Sequence, residues 1–477
     1  TIDASGITAA AGFDQSAAAV GVTTITGSAG ADTLVGDASS TINGGAGNDA
    51  ITGGNGNDTL NGGAGNDTIT TDTGNDTVDG GDGNDTVVLS DGDATASDVV
   101  DGGAGTDVLV MTEAVTADEM VGYTNFEILR YDETATQNLA LIPGTNVLTT
   151  IRHSDAAGAL VLTNAASTIT TLNLLDDAGA GTAADVSFDR LVDGSANSIT
   201  ILGNAAGDTD YDAIVVDDEE TITITSGDAA TETVTIDDLN AADATSLTLT
   251  GTAAITITNA VVGATSLASV DASTMTAAVD VDVTNSAVVV TMTGGTGGDT
   301  LEGGIRADTI NGGEGNDTLI GNQGADTING GAGADEITGG TGADILTGGS
   351  GADDFNFAAA SSGVTVATAD TITDFVTGSD QLDVVLTGAG TGATDAVIAD
   401  GTSVADFAAL VALVDIVFTA GGAANDDAAI YYNALGSGDA YVFVDDDDSG
   451  SFAAGDTLII LSGVNLVTEI ALADFIA

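Results

Sequence analysis

Two stretches of the chain repeat a nine-residue pattern of polar and apolar places. Residues 294 to 356 read GGTGGDTLE, GGIRADTIN, GGEGNDTLI, GNQGADTIN, GGAGADEIT, GGTGADILT and GGSGADDFN without a gap. Asp holds the sixth place in each, and the eighth is apolar: Leu301, Ile310, Leu319, Ile328, Ile337, Leu346 and Phe355. Glycines at the head of the period predict a tight turn over six residues, where glycine reaches positive φ without penalty and lets carbonyl oxygens converge. The last three residues predict a short strand whose middle side chain points inward. Asp299, Asp308, Asp317, Asp326, Asp335, Asp344 and Asp353 then stay in the turns. A flexible linker shares the Gly/Asp composition but has no reason to keep an apolar residue two places after every Asp.

The same pattern runs from Gly44 to Val88 as GGAGNDAIT, GGNGNDTLN, GGAGNDTIT, TDTGNDTVD and GGDGNDTVV, placing Asp49, Asp58, Asp67, Asp76 and Asp85 in register. GSAGADTLV from Gly27 adds Asp32, and a detached GGAGTDVLV from Gly102 adds Asp107. The piece GDASSTIN at 36–43 is one residue short and lacks the Asp, which predicts a broken or weak site. Between 111 and 293 the glycines fade and short alternations take over: LNLL near Leu172, SITIL near Ile199, TITIT near Ile222, SLTLT near Leu247, SLASV near Leu267 and AVVVT near Val288. Alternation marks half-buried strands. Their spacings of 27, 23, 25, 20 and 21 residues suit one coil each of a wider solenoid. A β-sandwich would also accommodate such strands. Their direct continuation into the nonapeptides, with no linker, favours the solenoid.

The nonapeptides resemble the glycine-rich repeats of the RTX proteins. That resemblance implies an all-β fold, a parallel β-roll or β-helix solenoid in which two nonapeptides close one coil and turns stack on alternate sides. Each Ca²⁺ would lie between repeat n and repeat n+2, taking carboxylate and backbone oxygens from both, as a hard cation prefers. For residues 294–356 the expected stacks hold four and three turns, with five ions between them. The chain then divides into an amino-terminal coil and first calcium block (1–110), a central β-solenoid (111–293), a second calcium block (294–356) and a small β-rich carboxy-terminal secretion domain (357–477).

Within that last part, FNFAAASSGVTVATADTITDFVTGSDQLDVVL resembles the carboxy-terminal region of RTX proteins exported by type I secretion, the serralysin proteases included, and the ending ALADFIA resembles their uncleaved export signal. The central strands resemble the solenoids of RTX-type bacterial surface-layer proteins. In TSVADFAALVALV, Val404, Phe407, Leu410, Val411 and Val414 recur at helical spacing behind a Ser403–Asp406 capping box, predicting one helix. In YVFVDDDDSGSFAAGDTLIIL, Asp445, Asp447, Ser449 and Asp456 fall at places 1, 3, 5 and 12 of an EF-hand-like calcium loop, with Gly450 at the turn. The fit is good, although Asp456 is shorter than the usual Glu and strands rather than helices flank the loop; a solvated acidic run is the alternative.

Charge sharpens this picture. Against 73 Asp and Glu stand four arginines, for a formal net charge of −69. Such a chain does not bind nucleic acid or an anionic membrane by charge. Acidity of this order usually accompanies disorder, but 43% hydrophobic residues and abundant β-branched runs exclude it. Bound divalent cation is the remaining way to offset the repulsion, which makes folding and metal binding one equilibrium. There is no cysteine to staple the chain, and no apolar run approaches the length of a membrane span. TIDASGITAA has neither the basic region nor the hydrophobic core of a signal peptide, so export is expected to be directed from the other end. His153 is the single histidine, which rules out an HExxH zinc site and with it serralysin activity. Beside Arg152 it reads as a surface or loop residue. Acid pairs for glycoside hydrolysis exist among so many carboxylates, but aromatic platforms for sugar are scarce at 4% and Trp is absent.

Residues and resemblance together imply a non-enzymatic extracellular structural protein. It would be exported by the type I secretion apparatus to a Gram-negative cell surface, hold many Ca²⁺ ions, engage cell-surface polysaccharide and assemble with copies of itself into a surface layer. A calcium-dependent filament or biofilm-matrix adhesin fits the same residues, as does the non-catalytic RTX part of a secreted enzyme or toxin. One internal match points to an assembly surface. TIDASGITAA at 1–10 pairs with SVDASTMTAA at 269–278, and Asp3 and Asp271 precede their calcium blocks by 24 and 23 residues. The first copy lacks the coils that precede its twin, so its strand, with Ile2 and Ile7, is expected to present an open edge that docks on another subunit. Removing residues 1–26 should leave a calcium-binding protein that folds but does not assemble. Lattices or fibres forming normally from the shortened chain, seen by electron microscopy, would move the assembly surface to the central strands or the acidic tail.

Overall fold

The computed structural model describes residues 1–6, 14–16, 23–89, 94–112, 114–116, 118–132, 135–143, 146–154, 159–175, 186–191, 197–204, 209–227, 233–358, 361–363, 365–376, 379–384, 397–400, 428–432, 439–444, 452, 456–463 and 475–476. Apart from one 3-10 turn at Leu139–Leu141, every regular element among them is a strand. The chain forms two compact units, Thr1–Thr225 and Ser226–Ala477.

In the first unit one parallel ladder runs through Thr24–Thr26, Thr41–Ala46, Thr59–Ala64, Thr77–Asp82 and Val99–Asp101. A second runs through Thr33–Val35, Ala50–Thr52, Thr68–Thr70, Thr86–Val88 and Val108–Met111. Thr41 faces Thr59 and Thr59 faces Thr77, so one coil takes eighteen residues, two nonapeptides. The ladder then continues through Ile128–Tyr131, Thr150–Ser154, Thr171–Leu175 and Ser198–Asn204 with longer coils, Thr150 facing Thr171 and Thr171 facing Thr200. The second unit repeats the arrangement. Ser246–Thr250, Ser269–Asp271, Thr291–Thr293, Thr309–Glu314, Thr327–Ala332 and Ile345–Ser350 form one ladder. Ala254–Ile257, Val279–Asp282, Thr300–Glu302, Thr318–Ile320, Glu336–Thr338 and Asp354–Phe357 form the other. The central strands are therefore coils of a parallel solenoid, not a sandwich of antiparallel sheets.

The core follows from the pleat. Successive side chains alternate between faces, so only the middle residue of each three-residue strand points inward, and Leu301, Ile310, Leu319, Ile328, Ile337, Leu346 and Phe355 are fully buried. The internal match is also structural. Ile2 pairs with Ile25 as Val270 pairs with Met292, and Asp3 and Asp271 each accept the N–H of the Ser two places on.

Two local expectations are corrected. His153 is not a surface or loop residue: it lies in strand Thr150–Ser154, 1% exposed, with Nδ1 3.2 Å from the Tyr131 carbonyl oxygen. Alternation sends Ile151 and His153 inward on either side of Arg152. In AVVVT the strand is Thr291–Thr293, while Val288 and Val289 are exposed in the preceding turn, which the Ser286 hydroxyl closes by donating to the Leu267 carbonyl. The helix expected around 404–414 lies outside the described residues.

The tail of the second unit departs from the parallel pattern. Asp370–Ile372 pairs in parallel with both Ile345–Ser350 and Thr457–Leu461, and Thr457–Leu461 pairs antiparallel with Ala440–Val444. A core this thin has no depth to absorb a lost side chain. Ile328→Ala in the calcium-loaded protein should lower stability by about 2–5 kcal/mol, while Thr327→Ala on the outer face should cost under about 1 kcal/mol. Denaturant titration of both variants would check this, and equal shifts would contradict a one-residue-deep core.

Candidate metal centre

The turns are built by glycines in conformations closed to other residues. Gly331 and Gly333, second and fourth in their repeat, have φ of +113° and +148°. In two repeats whose second place is not glycine, Asp72 (φ 61°) and Asn322 (φ 72°) occupy the left-handed region, the residue types that tolerate it best.

This backbone lines the sixth-place carboxylates into columns, two per block. In the second block the Asp299 N–H donates to Asp317 Oδ1 (2.8 Å), Asp317 to Asp335 (2.9 Å) and Asp335 to Asp353 (3.1 Å). In the companion column Asp308 donates to Asp326 (2.7 Å) and Asp326 to Asp344 (2.8 Å). In the first block one column links Asp32, Asp49, Asp67, Asp85 and Asp107, and the other links Ser40, Asp58 and Asp76. Ser40 stands where the short piece lacks its Asp, so a hydroxyl replaces a carboxylate there. All fourteen repeat aspartates are at most 3% exposed.

Each carboxylate thus gives Oδ1 to the amide of the turn before it. Among the described residues, Oδ2 of Asp49, Asp67, Asp85, Asp107, Asp317, Asp326, Asp335, Asp344 and Asp353 is buried with no hydrogen-bond donor. In several turns it shares a small space with a carbonyl oxygen. A Cβ placed on Gly321 would lie 2.5 Å from both Asp326 Oδ2 and the carbonyl oxygen of Gly339, in the turn after. At Gly62, Asp67 Oδ2 and the Gly80 carbonyl stand in the same relation. Two oxygens turned towards each other away from water are mutually repulsive unless a cation lies between them, and an all-oxygen set suits Ca²⁺. At the heads of the columns the arrangement differs: Oδ2 of Asp32, Asp299 and Asp308 accepts an N–H of its own turn, from Ser28 (2.5 Å), Gly295 (2.7 Å) and Gly304 (2.7 Å).

The columns run further than the nonapeptides. Asp76 donates to Asp98 Oδ1, Asp107 to Glu127 Oε2, Asp344 to Asp370 Oδ1 and Asp353 to Asp380 Oδ1. Asp353 is therefore not the end of its stack. Longer intervals hid these four from a search for period nine, 26 residues from Asp344 to Asp370 for example. The signal that survives is an acid followed two places on by a buried aliphatic: Val100, Leu129, Ile372 and Leu382. The EF-hand-like segment is separate. Asp445, Asp447 and Ser449 lie outside the described residues, and Asp456 is buried at the head of Thr457–Leu461.

Fold and columns together define a parallel β-solenoid stapled by metal between its coils. Its repeats are those of a known family: the model described as RTX calcium-binding nonapeptide repeat (4 copies) matches residues 21–40, 39–69, 61–96, 93–110, 293–328 and 320–355. The chain is of RTX type across these two blocks, and the metal is calcium, bound in multiple copies. The sequence matches no curated protein. Among solved structures it is similar to the AlgE6R2 subunit of the mannuronan C5-epimerase from Azotobacter vinelandii, at 23% identity over 40% of this chain and 91% of that one, with a TM-score of 0.24. It is also similar to the AlgE6R3 subunit of the same enzyme, at 22% identity over 37% and 76%, with a TM-score of 0.18.

Burial holds several of the repeat carboxyls above the ordinary aspartate value of 3.8. Asp49, Asp85, Asp107 and Asp353 are pushed up to about 6, and Asp317 and Asp326 to about 7. Desolvation is the largest cause, opposed by the amide bond from the earlier turn and reinforced by neighbouring carboxylates. Without metal, the folded state then binds more protons than the unfolded one between about pH 4 and 7, so stability is highest below that window and falls as pH rises through it. Calcium must displace those protons, so its affinity moves the other way. Melts followed by circular dichroism should give a higher midpoint near pH 5 than near pH 7.5 in chelator, and the reverse order in excess calcium. Midpoints in chelator that do not move with pH would count against protonated columns.

Proposed function

We propose that this protein is a secreted, non-enzymatic structural protein that folds when it meets calcium and assembles with copies of itself into a bacterial surface layer. The observation that carries the reading is the set of buried Oδ2 atoms without a hydrogen-bond donor in coil after coil, most of them near a carbonyl oxygen of the next turn, in a chain of net charge −69. Where calcium is scarce the columns repel and the chain stays unfolded, in a state the type I export apparatus can pass. Outside, with calcium at about 100 times its Kd each site adds about 2.7 kcal/mol to the folded state, so on the order of ten sites decide whether it folds. RTX repeat proteins are typically secreted. No helix among the described residues is long and apolar enough to cross a membrane.

The non-enzymatic part of the proposal is supported by the position of the single histidine, enclosed between coils against the Tyr131 carbonyl. Assembly is supported by the regularity of the outer faces. Thr41, Thr59 and Thr77 form an exposed row of short polar side chains in parallel register. Cell-surface polysaccharide is the anchor proposed for the layer.

Electron microscopy of the purified protein with and without Ca²⁺ tests this. Two-dimensional lattices in calcium that disperse in chelator are expected. Filaments would transfer the reading to a matrix adhesin, and monomers in saturating calcium would overturn self-assembly.

A further inference from the structure

We infer that Asp370, beyond the last nonapeptide, forms with Asp344 a further calcium site that clamps the carboxy-terminal strands of the second unit to its repeat block. The residues matched by the repeat model stop at 355, yet the column does not. Asp370 is 1% exposed, and its Oδ1 accepts the Asp344 N–H at 2.8 Å, the bond that joins successive aspartates inside the block. Its Oδ2 is buried with no hydrogen-bond donor, and so is Oδ2 of Asp344. Turn stacking also continues across the boundary, with Gly342 bridging in parallel to Ser362 as Gln323 bridges to Thr341 one coil earlier. Two orphaned carboxylate oxygens from successive turns, in a dry and stacked geometry, match the carboxylate part of what the block offers each ion. Turn carbonyls and water would complete the shell.

The companion column supplies the contrast. Asp380 continues it in the same way, with Oδ1 accepting the Asp353 N–H, but its Oδ2 accepts the Val376 N–H at 2.7 Å. Both oxygens of Asp380 are therefore satisfied by hydrogen bonds, and the donor-less Oδ2 at that step belongs to Asp353 alone. The site at Asp370 also reaches further along the chain. The Asp370 N–H donates to Ser362 Oγ (2.7 Å), and that hydroxyl donates to the Leu458 carbonyl (2.6 Å). Strand Asp370–Ile372 lies between Ile345–Ser350 and Thr457–Leu461 in the ladder. An ion fixed by Asp370 would order the strand on which the antiparallel pair Ala440–Val444 and Thr457–Leu461 is laid.

Asp370→Asn keeps the Oδ1 acceptor and the shape while removing the charge. Counted by native mass spectrometry of the full chain in calcium, this variant should hold one ion fewer than the parent, and Asp380→Asn should hold the parent's number. Hydrogen exchange should quicken at 440–444 and 457–461 in the first variant alone. An unchanged count in Asp370→Asn, or equal losses in both variants, would overturn the site. Should Asp370→Asn fail to fold, anomalous diffraction from parent crystals grown in Tb³⁺ decides: a peak between Asp344 and Asp370 is expected, and its absence while other turns are occupied would sink the proposal.

Discussion

The fold depends on an asymmetry within one side chain. An ionised carboxylate inside a repeat column has two oxygens and no proton to donate, and the backbone supplies a donor for only one of them. Asp326 shows the division: Oδ1 takes the Asp308 N–H, while Oδ2 is turned towards the next turn's carbonyl. Burying an oxygen without a partner costs a few kcal/mol, and burying a charge costs more. Repeated down four columns, that cost is of the same order as what one apolar residue per strand returns. The cation is thus a structural member of the same rank as the leucine and isoleucine rows beside it.

The wider coils of the first unit close their turns by other means. Asn146 Oδ1 accepts the Phe126 N–H while its Nδ2 donates to the Tyr123 carbonyl, and Gln137 both accepts from and donates to the backbone of Val115. An amide side chain carries donor and acceptor together, so it satisfies both kinds of backbone group without a metal. Further along, the buried guanidinium of Arg190 meets Glu219 at 2.5 Å and donates to the carbonyls of Ala166 and Ile169. There a cation is supplied by the chain itself. Metal, amide and arginine are three solutions to one problem: how to stack polar turns at the corners of a solenoid.

Much of this was legible in the sequence because the repeat is local. Nine residues determine the turn, the strand and the inward side chain, so Asp317 and Leu319 could be placed from their neighbours alone. What escaped depends on contacts between coils. Asp98, Glu127, Asp370 and Asp380 hold the same station as the repeat aspartates, but loops of other lengths precede them, and spacing along the chain says nothing of spacing across a ladder. His153 was misjudged for a related reason. Polarity suggested the surface, whereas alternation with Ile151 fixed its face, and the Tyr131 carbonyl provided the partner that makes a buried imidazole tolerable.

Because the carboxylate and the carbonyl that face each other belong to different coils, no isolated turn offers a complete site. A single nonapeptide in an unfolded chain presents one carboxylate and flexible glycines, which is weak binding. The site comes into being when the next coil is laid down, and laying that coil down is favourable only if the ion is there. Binding and stacking are therefore one event, and in a solenoid, where each coil touches only its neighbours, that event propagates along the column. An interruption such as Ser40, where the carboxylate is missing, acts differently from a missing ion within an intact column. It removes a charge as well as a ligand, so the turns on either side can stack there with less repulsion to overcome. A column can thus begin on a turn that needs no metal, and the heads of the columns fit this: at Asp32, Asp299 and Asp308 the chain satisfies the second oxygen by itself, as it does again at Asp380 beyond the last repeat. Those turns can form first and give the first ion a finished half-site to bind.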